Sequence, residues 1–272
     1  MRKKAEGTYR SEGTDQKKRD VFSPVRGFRL MVAFFTRIPA GIPEYSERLF
    51  SSGIKTLPLV GVLIGLLLYF VSFLRYLMLP DGVLALILVI SYCMITGGLH
   101  FDGVADTCDA IFSGRDRERM LEIMKDSRTG TFGVMGLILL LLSYYVLFAE
   151  LGTLWPQALI CLPVVGKSAM VASCWKAGTA RNSGMGYAFI LRVGRGEVIC
   201  SLLAGLAVSI LTGPACIIGA LLAFGAAFSA REYFERRLGG LTGDVLGCIC
   251  ELSQVVFAAG VFLTVHVAET FF

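Results

Sequence analysis

The run "VMGLILLLLSYYVLF" (134–148) carries no charge and no helix breaker beyond one glycine. Runs of this kind recur along the chain and constrain its fold more than any other feature. A hydrocarbon core of about 30 Å is crossed by about 20 helical residues. Candidate spans stand at roughly 57–79, 83–99, 132–149, 154–172, 198–212, 214–230 and 245–268. Membrane β-strands would alternate over segments of about ten residues, and these runs are continuous. Composition agrees: of 272 residues, 55% are hydrophobic and 17% charged, where soluble domains have about 45–50% and about 25%. The expected fold is an all-α polytopic membrane protein, a bundle of about seven transmembrane helices.

The number of spans is less secure than their type. Gly213-Pro214 separates two apolar runs and is either a tight turn or a kink. The turn is preferred, because one helix over both runs is too long for a single crossing. The count is therefore six or seven, and charge decides between them. Of 26 Lys and Arg, twelve lie in 1–55, five in 100–131, four in 173–197 and three in 231–244. The segments 80–82, 150–153, 213 and 269–272 hold none. Seven spans put all four basic segments on one face, which the positive-inside rule makes the cytoplasm. The N-terminus is then cytoplasmic and the protein a multi-pass protein of the cytoplasmic membrane.

Residues 1–26 are polar, rich in both charges and without periodicity, and are expected to form a disordered basic cytoplasmic tail. Residues 27–272 are expected to form a single transmembrane catalytic domain. Within it "GFRLMVAFFTRIPA" (27–40) is short and flanked by arginine, as an interfacial segment would be. The net charge of +5 is modest and topology accounts for it, so no nucleic-acid partner is expected. The eight cysteines include no CxxC pair and read as small buried apolar residues. Lys167, the one lysine within a candidate span, has snorkelling to the interface as its plain reading.

Two acidic stretches carry the chemistry. In "GGLHFDGVADTCDA" (97–110), Asp102, Asp106 and Asp109 stand at i, i+4 and i+7, on one face if the segment is helical. Like charges so placed repel, and a divalent cation removes the difficulty, because carboxylates suit Mg²⁺. In "GGLTGDVLGCICELSQ" (239–254), Asp244 precedes Glu251, which lies about two turns inside the last apolar run. An acid inside a membrane helix is a functional residue by default. Both stretches read GGL, two further residues and then Asp (97–102 and 239–244), a duplication or a coincidence. The metal ligands expected are Asp102, Asp106, Asp109, Asp244 and Glu251. The glycines around them suggest close approach of backbone to a ligand.

The loop between spans supplies the matching anion site. "RDRERMLEIMKD" (115–126) places Met120, Leu121, Ile123 and Met124 on one side, as an amphipathic interfacial helix does. "KDSRTGTFG" follows directly before a span, and a helix N-terminus with hydroxyls and arginine cradles phosphate. Lys125, Ser127, Arg128 and Thr129 are expected there. Arg181, in a basic glycine-containing loop, and Arg231 are further phosphate candidates. Carboxylate-bound metal beside a phosphate cradle on the cytoplasmic side describes phosphoryl transfer. No P-loop, GxSxG, HExxH or kinase signature occurs.

At these residues the chain resembles the cobalamin synthase family, the adenosylcobinamide-GDP ribazoletransferases of bacterial and archaeal membranes. The likeness rests on "GGLHFDGVADTCDAIFSGRDRERMLEIMKDSRTGTFGV" (97–134), supported by "FFTRIPA" (34–40) and "GGLTGDVLGCICEL" (239–252). It implies a late step of cobalamin biosynthesis. A ribose hydroxyl of α-ribazole, or of its 5′-phosphate, attacks the cobinamide-bound phosphate of adenosylcobinamide-GDP. GMP leaves, and adenosylcobalamin or its phosphate forms, with Mg²⁺ required. On that reading Asp102, Asp106 and His100 are the catalytic candidates, with Asp106 or His100 taking the hydroxyl proton. Besides the bilayer, partners would include a second copy or other enzymes of the pathway. Two other readings stand behind this one. A phospholipid-type alcohol phosphotransferase carries a DG-x2-A motif, but "DGVAD" lacks its arginine and its remaining Asp spacing. An ion-coupled secondary transporter would hold its acids near the midplane.

Overall fold

A computed structural model describes residues 24–41 and 45–271. The tail expected over 1–26 therefore lies outside the described residues, except for Pro24–Arg26, which open the first helix. Among the described residues there are twelve α-helices and no strand, only an isolated parallel bridge between Thr179 and Leu241. The helices are α1 Pro24–Phe35, α2 Glu47–Ile54, α3 Leu57–Ser72, α4 Asp81–Thr96, α5 Leu99–Phe112 and α6 Arg117–Ile123. They continue as α7 Thr131–Leu154, α8 Ala158–Ser173, α9 Met185–Arg192, α10 Arg195–Thr212, α11 Pro214–Leu238 and α12 Gly243–Phe271.

Each of the seven apolar runs is a helix: α3, α4, α7, α8, α10, α11 and α12. Five are long and apolar enough to cross a bilayer unaided, and α4 with α5 makes a sixth if that pair, bent by 95°, counts as one span. The expected count of about seven included α4 and α8, which have 16 residues each. At 1.5 Å per residue such a helix reaches about 24 Å, short of the hydrocarbon thickness. Helix α8 is enclosed by protein instead, with every residue but Ile160 buried. Gly61 and Gly65 of α3 admit its backbone: a Cβ at Gly61 would stand 2.6 Å from Val164 Cα. Small residues that let backbones meet are the usual glue of membrane helices.

Side-chain contacts show that the chain alternates between two ends. At one end Lys55 pairs with Glu197 at 3.4 Å, Arg192 with Glu47 at 3.0 Å and Arg181 with Asp244 at 3.0 Å. Arg117 Nε donates there to the Leu238 carbonyl at 2.7 Å, satisfying the end of α11. All four basic segments meet at this end. At the other, Thr153 donates to Asp81 at 2.9 Å and Trp155 packs on Gly213. Gly213 adopts φ 124°, ends α10 and lets Pro214 start α11, so Gly213-Pro214 is a turn and not a kink.

The two short amphipathic segments are helical. Helix α1 packs Leu30, Met31, Val32 and Phe35 into the core. Asp116 caps α6, accepting from Arg119 N at 2.9 Å. Met120 and Met124 are buried in the protein core, while Leu121 and Ile123 are half-buried against it. Five of the eight cysteines are buried and none is in a disulfide among the described residues.

Candidate active site

Both GGL stretches build the same local device. Gly97 and Gly239 take φ 66° and 72° as left-handed caps of α4 and α11, a conformation that favours glycine. A new helix then starts, with Asp102 in the first turn of α5 and Asp244 in the first turn of α12. A carboxylate is stabilised at a helix N-terminus by the dipole and the free N–H groups. The two devices are packed together: a Cβ at Gly103 would stand 2.5 Å from the Asp244 carbonyl, and one at Gly247 3.3 Å from His100 Cα. Gly103 and Gly247 let the two helices cross closely, and Gly103 also lines the hollow beside them.

The crossing opens into a hollow of about 290 Å³ whose lining includes His100, Asp102, Arg181, Thr242 and Asp244. The acids of both stretches thus share one cavity, into which two helix N-termini point. Arg181 Nη1 pairs with Asp244 Oδ2 at 3.0 Å. Arg181 Nε and Nη2 are buried and have no hydrogen-bond partner. Unpaired buried donors are costly; here they mark a place prepared for something else. Asp106, half-buried one turn beyond Asp102, feels the charges of Asp102, Asp244 and Arg181 but does not line the hollow.

Glu251 belongs to a different cluster. It is buried, 1% exposed, and accepts from Tyr144 Oη at 2.6 Å and Tyr92 Oη at 2.9 Å. His100 Nδ1 stands 3.2 Å from its Oε1, and Lys167 Nζ stands 3.3 Å from that same nitrogen. Gln254 Nε2 donates to Tyr92 Oη at 2.8 Å. Lys167 does not snorkel: it is 2% exposed, with its ammonium 5.1 Å from the Phe35 ring centroid. Potential metal donors of His100, Cys250 and Glu251 lie within 4.8 Å of one another. However, the ammonium of Lys167 sits among them, 3.8 Å from Cys250 Sγ. Glu251 is thus a buried hydrogen-bond acceptor beside Lys167, and it does not line the hollow that Asp244 lines. Tyr92, Tyr144 and Gln254 escape the sequence reading, which notes Lys167 only as a residue that snorkels. The available signal was a lysine and a glutamate each inside an apolar run.

Asp109 and the expected cradle cancel each other. Asp109 Oδ2 accepts from Gly130 N at 2.6 Å and Oδ1 from Gly133 N at 2.8 Å. The N–H groups at the start of α7, assigned from sequence to a phosphate, are held by the chain's own carboxylate. Lys125, Ser127, Arg128 and Thr129 are exposed. Arg128 pairs with Asp126 at 2.6 Å, and its hydrogen bonds hold that exposed carboxyl down at about 2. Arg231 pairs with Glu235 at 3.3 Å and is absent from the hollow's lining. Asp109→Ala is expected to lower stability by about 1 kcal/mol or more through loss of the cap. It should leave the metal requirement of turnover unaltered. Thermal unfolding and a metal titration read the two effects, and a raised metal requirement would return Asp109 to the ligand set.

The cobalamin-5-phosphate synthase family matches residues 27–262. An adenosylcobinamide-GDP ribazoletransferase from Alkaliphilus oremlandii is 39% identical over 251 residues, covering 88% of this chain and 98% of the relative. One of the same name from Acetivibrio thermocellus is 38% identical, covering 84% and 94%. Another from Citrobacter koseri is 39% identical, covering 85% and 96%. No solved structure matches.

Proposed function

The chain belongs to the cobalamin-5-phosphate synthase family, and from that premise we propose that it is a membrane transferase joining adenosylcobinamide-GDP to α-ribazole or its 5′-phosphate. A ribose hydroxyl forms a new P–O bond to the cobinamide-bound phosphate. The diphosphate P–O bond breaks and GMP leaves with the electron pair. The observation that carries this reading is the shared hollow, where Asp102, Asp244 and Arg181 stand together at two helix N-termini.

Arg181 supplies the phosphate contact. Its Nε and Nη2 have no acceptor in the chain, and two guanidinium donors match two phosphate oxygens. Asp102 and Asp244 offer hard oxygen donors on one hollow, the donor type Mg²⁺ takes, so the residues present fit Mg²⁺. The three acids Asp102, Asp106 and Asp244 do not form a tight trio, but Mg²⁺ usually keeps several waters and needs only one or two carboxylates. Bound there, Mg²⁺ would neutralise charge on the diphosphate. Asp106 lies close enough to feel the charges of Asp102, Asp244 and Arg181. His100 lines the hollow while its Nδ1 faces Glu251 and Lys167. In the tautomer whose Nδ1–H donates to Glu251, the other ring nitrogen is free to take the hydroxyl proton. Asp106, outside the lining, is the weaker candidate for this role. By the positive-inside rule the basic end of the bundle, with the hollow, faces the cytoplasm, and a cytoplasmic N-terminus goes with that reading.

The experiment is direct. Purified protein in detergent, given adenosylcobinamide-GDP, α-ribazole and Mg²⁺, should release one GMP per cobalamin formed. Folded protein that releases none would overturn the reading, as transport without turnover in vesicles would. Arg181→Lys keeps the charge but loses the fork. We expect it to lower kcat/KM for adenosylcobinamide-GDP by about 10- to 100-fold, equivalent to about 1.4–2.7 kcal/mol. Wild-type kinetics in this variant would remove Arg181 from the phosphate site.

A further inference from the structure

A second cavity, of about 400 Å³, is lined by α5, α7, α11 and α12. Helix α12 packs on the other three, while α7 and α11 share no packed interface. The cavity is therefore a slot that opens sideways between α7 and α11, where Leu139 and Leu252 of its lining are exposed. Helices α7, α11 and α12 are each long and apolar enough to cross a bilayer, so the opening faces lipid. Along α7 the lining runs from Gly136 to Ser143 and along α12 from Cys248 to Val255. Counted from the helix starts at Thr131 and Gly243, both stretches lie about 8–18 Å from the basic end, at 1.5 Å per residue. Half of a hydrocarbon core of about 30 Å is one leaflet, so the slot has the depth of one leaflet's acyl chains. Its mouth is aromatic and cationic. Phe112 and Tyr233 line it and are exposed, as aromatic residues at headgroup level are. Arg115 follows Phe112 by three residues, and Arg237 stands one turn beyond Tyr233 on α11. The Arg117–Leu238 hydrogen bond holds their two segments together. Both arginines are exposed and, among the described residues, neither guanidinium has a partner. The acids on that stretch of α11 are taken, Glu232 by Arg236 and Glu235 by Arg231.

We propose that this slot holds an acyl chain of one anionic phospholipid, whose phosphate lies between Arg115 and Arg237. The walls select the chain. No charged residue lines the slot, and its only polar side-chain atoms are the hydroxyls of Thr107, Ser143 and Tyr233 and the thiols of Cys108 and Cys248. The Ser143 hydroxyl is already bonded to the Leu139 carbonyl at 2.7 Å, so a polar ligand finds little to bind. A helix from a second copy, about 10 Å across, needs about twice the volume over this depth. The mouth selects the headgroup, because basic residues at the membrane surface attract anionic lipid. The slot is separate from the acids. Val104, Thr107 and Ile111 line it from the side of α5 opposite Asp102 and Asp106. The lipid site therefore stands independently of the transferase reading.

The full chain, purified in detergent and stripped of lipid, is titrated with phosphatidylglycerol or with phosphatidylcholine of the same chain length. Native mass spectrometry counts the lipid bound. Wild type should hold one phosphatidylglycerol about 10- to 30-fold more tightly than phosphatidylcholine, as two arginines near a phosphate would give. The double variant Arg115→Gln with Arg237→Gln changes only exposed side chains and should lose that preference. Ser143→Phe fills the deep end of the slot. It should weaken both lipids about tenfold, the equivalent of about two CH₂ groups left unburied, and keep their order. Leu139→Trp, at the open side, replaces it if size exclusion shows that Ser143→Phe does not fold. Equal affinity of wild type for the two lipids, or an unchanged preference in the arginine variant, overturns the headgroup site. Unchanged binding in the filled variant overturns the slot. Wild type that binds no lipid and elutes as a dimer, with the filled variant a monomer, gives the slot to a second copy and ends the proposal.

Discussion

Asp102→Asn should lose GMP release by about a thousandfold or more, corresponding to about 4 kcal/mol of transition-state stabilisation. The substitution keeps shape and removes charge. Asp102 is exposed in the hollow and caps nothing, so folding should survive and size-exclusion and thermal profiles should match wild type. The loss follows from the role proposed for the carboxylate. A phosphoryl transfer develops charge that the protein counters mainly by position and electrostatics, and Asp102 is the acid most open to a cation shared with the diphosphate. Raising Mg²⁺ should restore only part of the rate. The parallel variant Asp106→Asn should lose much less, because Asp106 is half-buried and does not line the hollow. Turnover of Asp102→Asn within about tenfold of wild type would sink the cation assignment. The reverse ranking of the two variants would move the centre of the site one turn along α5.

Glu251→Leu carries the largest expected effect on stability. Glu251 accepts from Tyr92 and Tyr144, and its Oε1 faces His100. Replacing it leaves the Tyr144 hydroxyl without its acceptor and Tyr92 with only Gln254 Oε1, at 3.2 Å. It also leaves the Lys167 ammonium in the interior without a nearby negative charge. Breaking a buried charge arrangement from one side costs about 3–5 kcal/mol. We expect a loss of that order in unfolding free energy, read as a lower transition temperature in detergent. The double variant Glu251→Leu with Lys167→Met should recover much of it, since removing both charges leaves none stranded. If the double variant is as unstable as the sum of the two single ones, the charges are not coupled and the cluster is only packing. Activity should fall in both, because His100 loses the group that faces its Nδ1.

How much of this was legible beforehand varied by residue. Helical type was legible throughout, because apolar runs of that length have few alternatives in lipid. The end at which each segment lies was legible from basic residues alone, and the ion pairs Lys55–Glu197, Arg192–Glu47 and Arg181–Asp244 now join those segments. Crossing length was less legible. Sixteen residues of α8 look like a short span in sequence, and only its enclosure by neighbouring helices explains how it can be short. At the site, the i, i+4 spacing of Asp102 and Asp106 was readable as a helical face. At the expected cradle, a helix N-terminus advertises free N–H groups in the sequence without saying what fills them. Asp109, 21 residues before Gly130, filled them.

The sequence by itself determined the helices, their alternation between two ends and the kinds of chemistry placed at the basic end. These follow from periodicity, run length and charge, each a property of neighbours along the chain. The tertiary structure alone decided which acid meets which donor. Asp102 and Asp244 share a cavity, Asp109 closes a helix, and Glu251 binds tyrosines from two other helices, one of them 159 residues away. A carboxylate has the same composition and hydropathy in all three roles. Only packing fixes the few ångströms that make it a ligand, a cap or a buried acceptor.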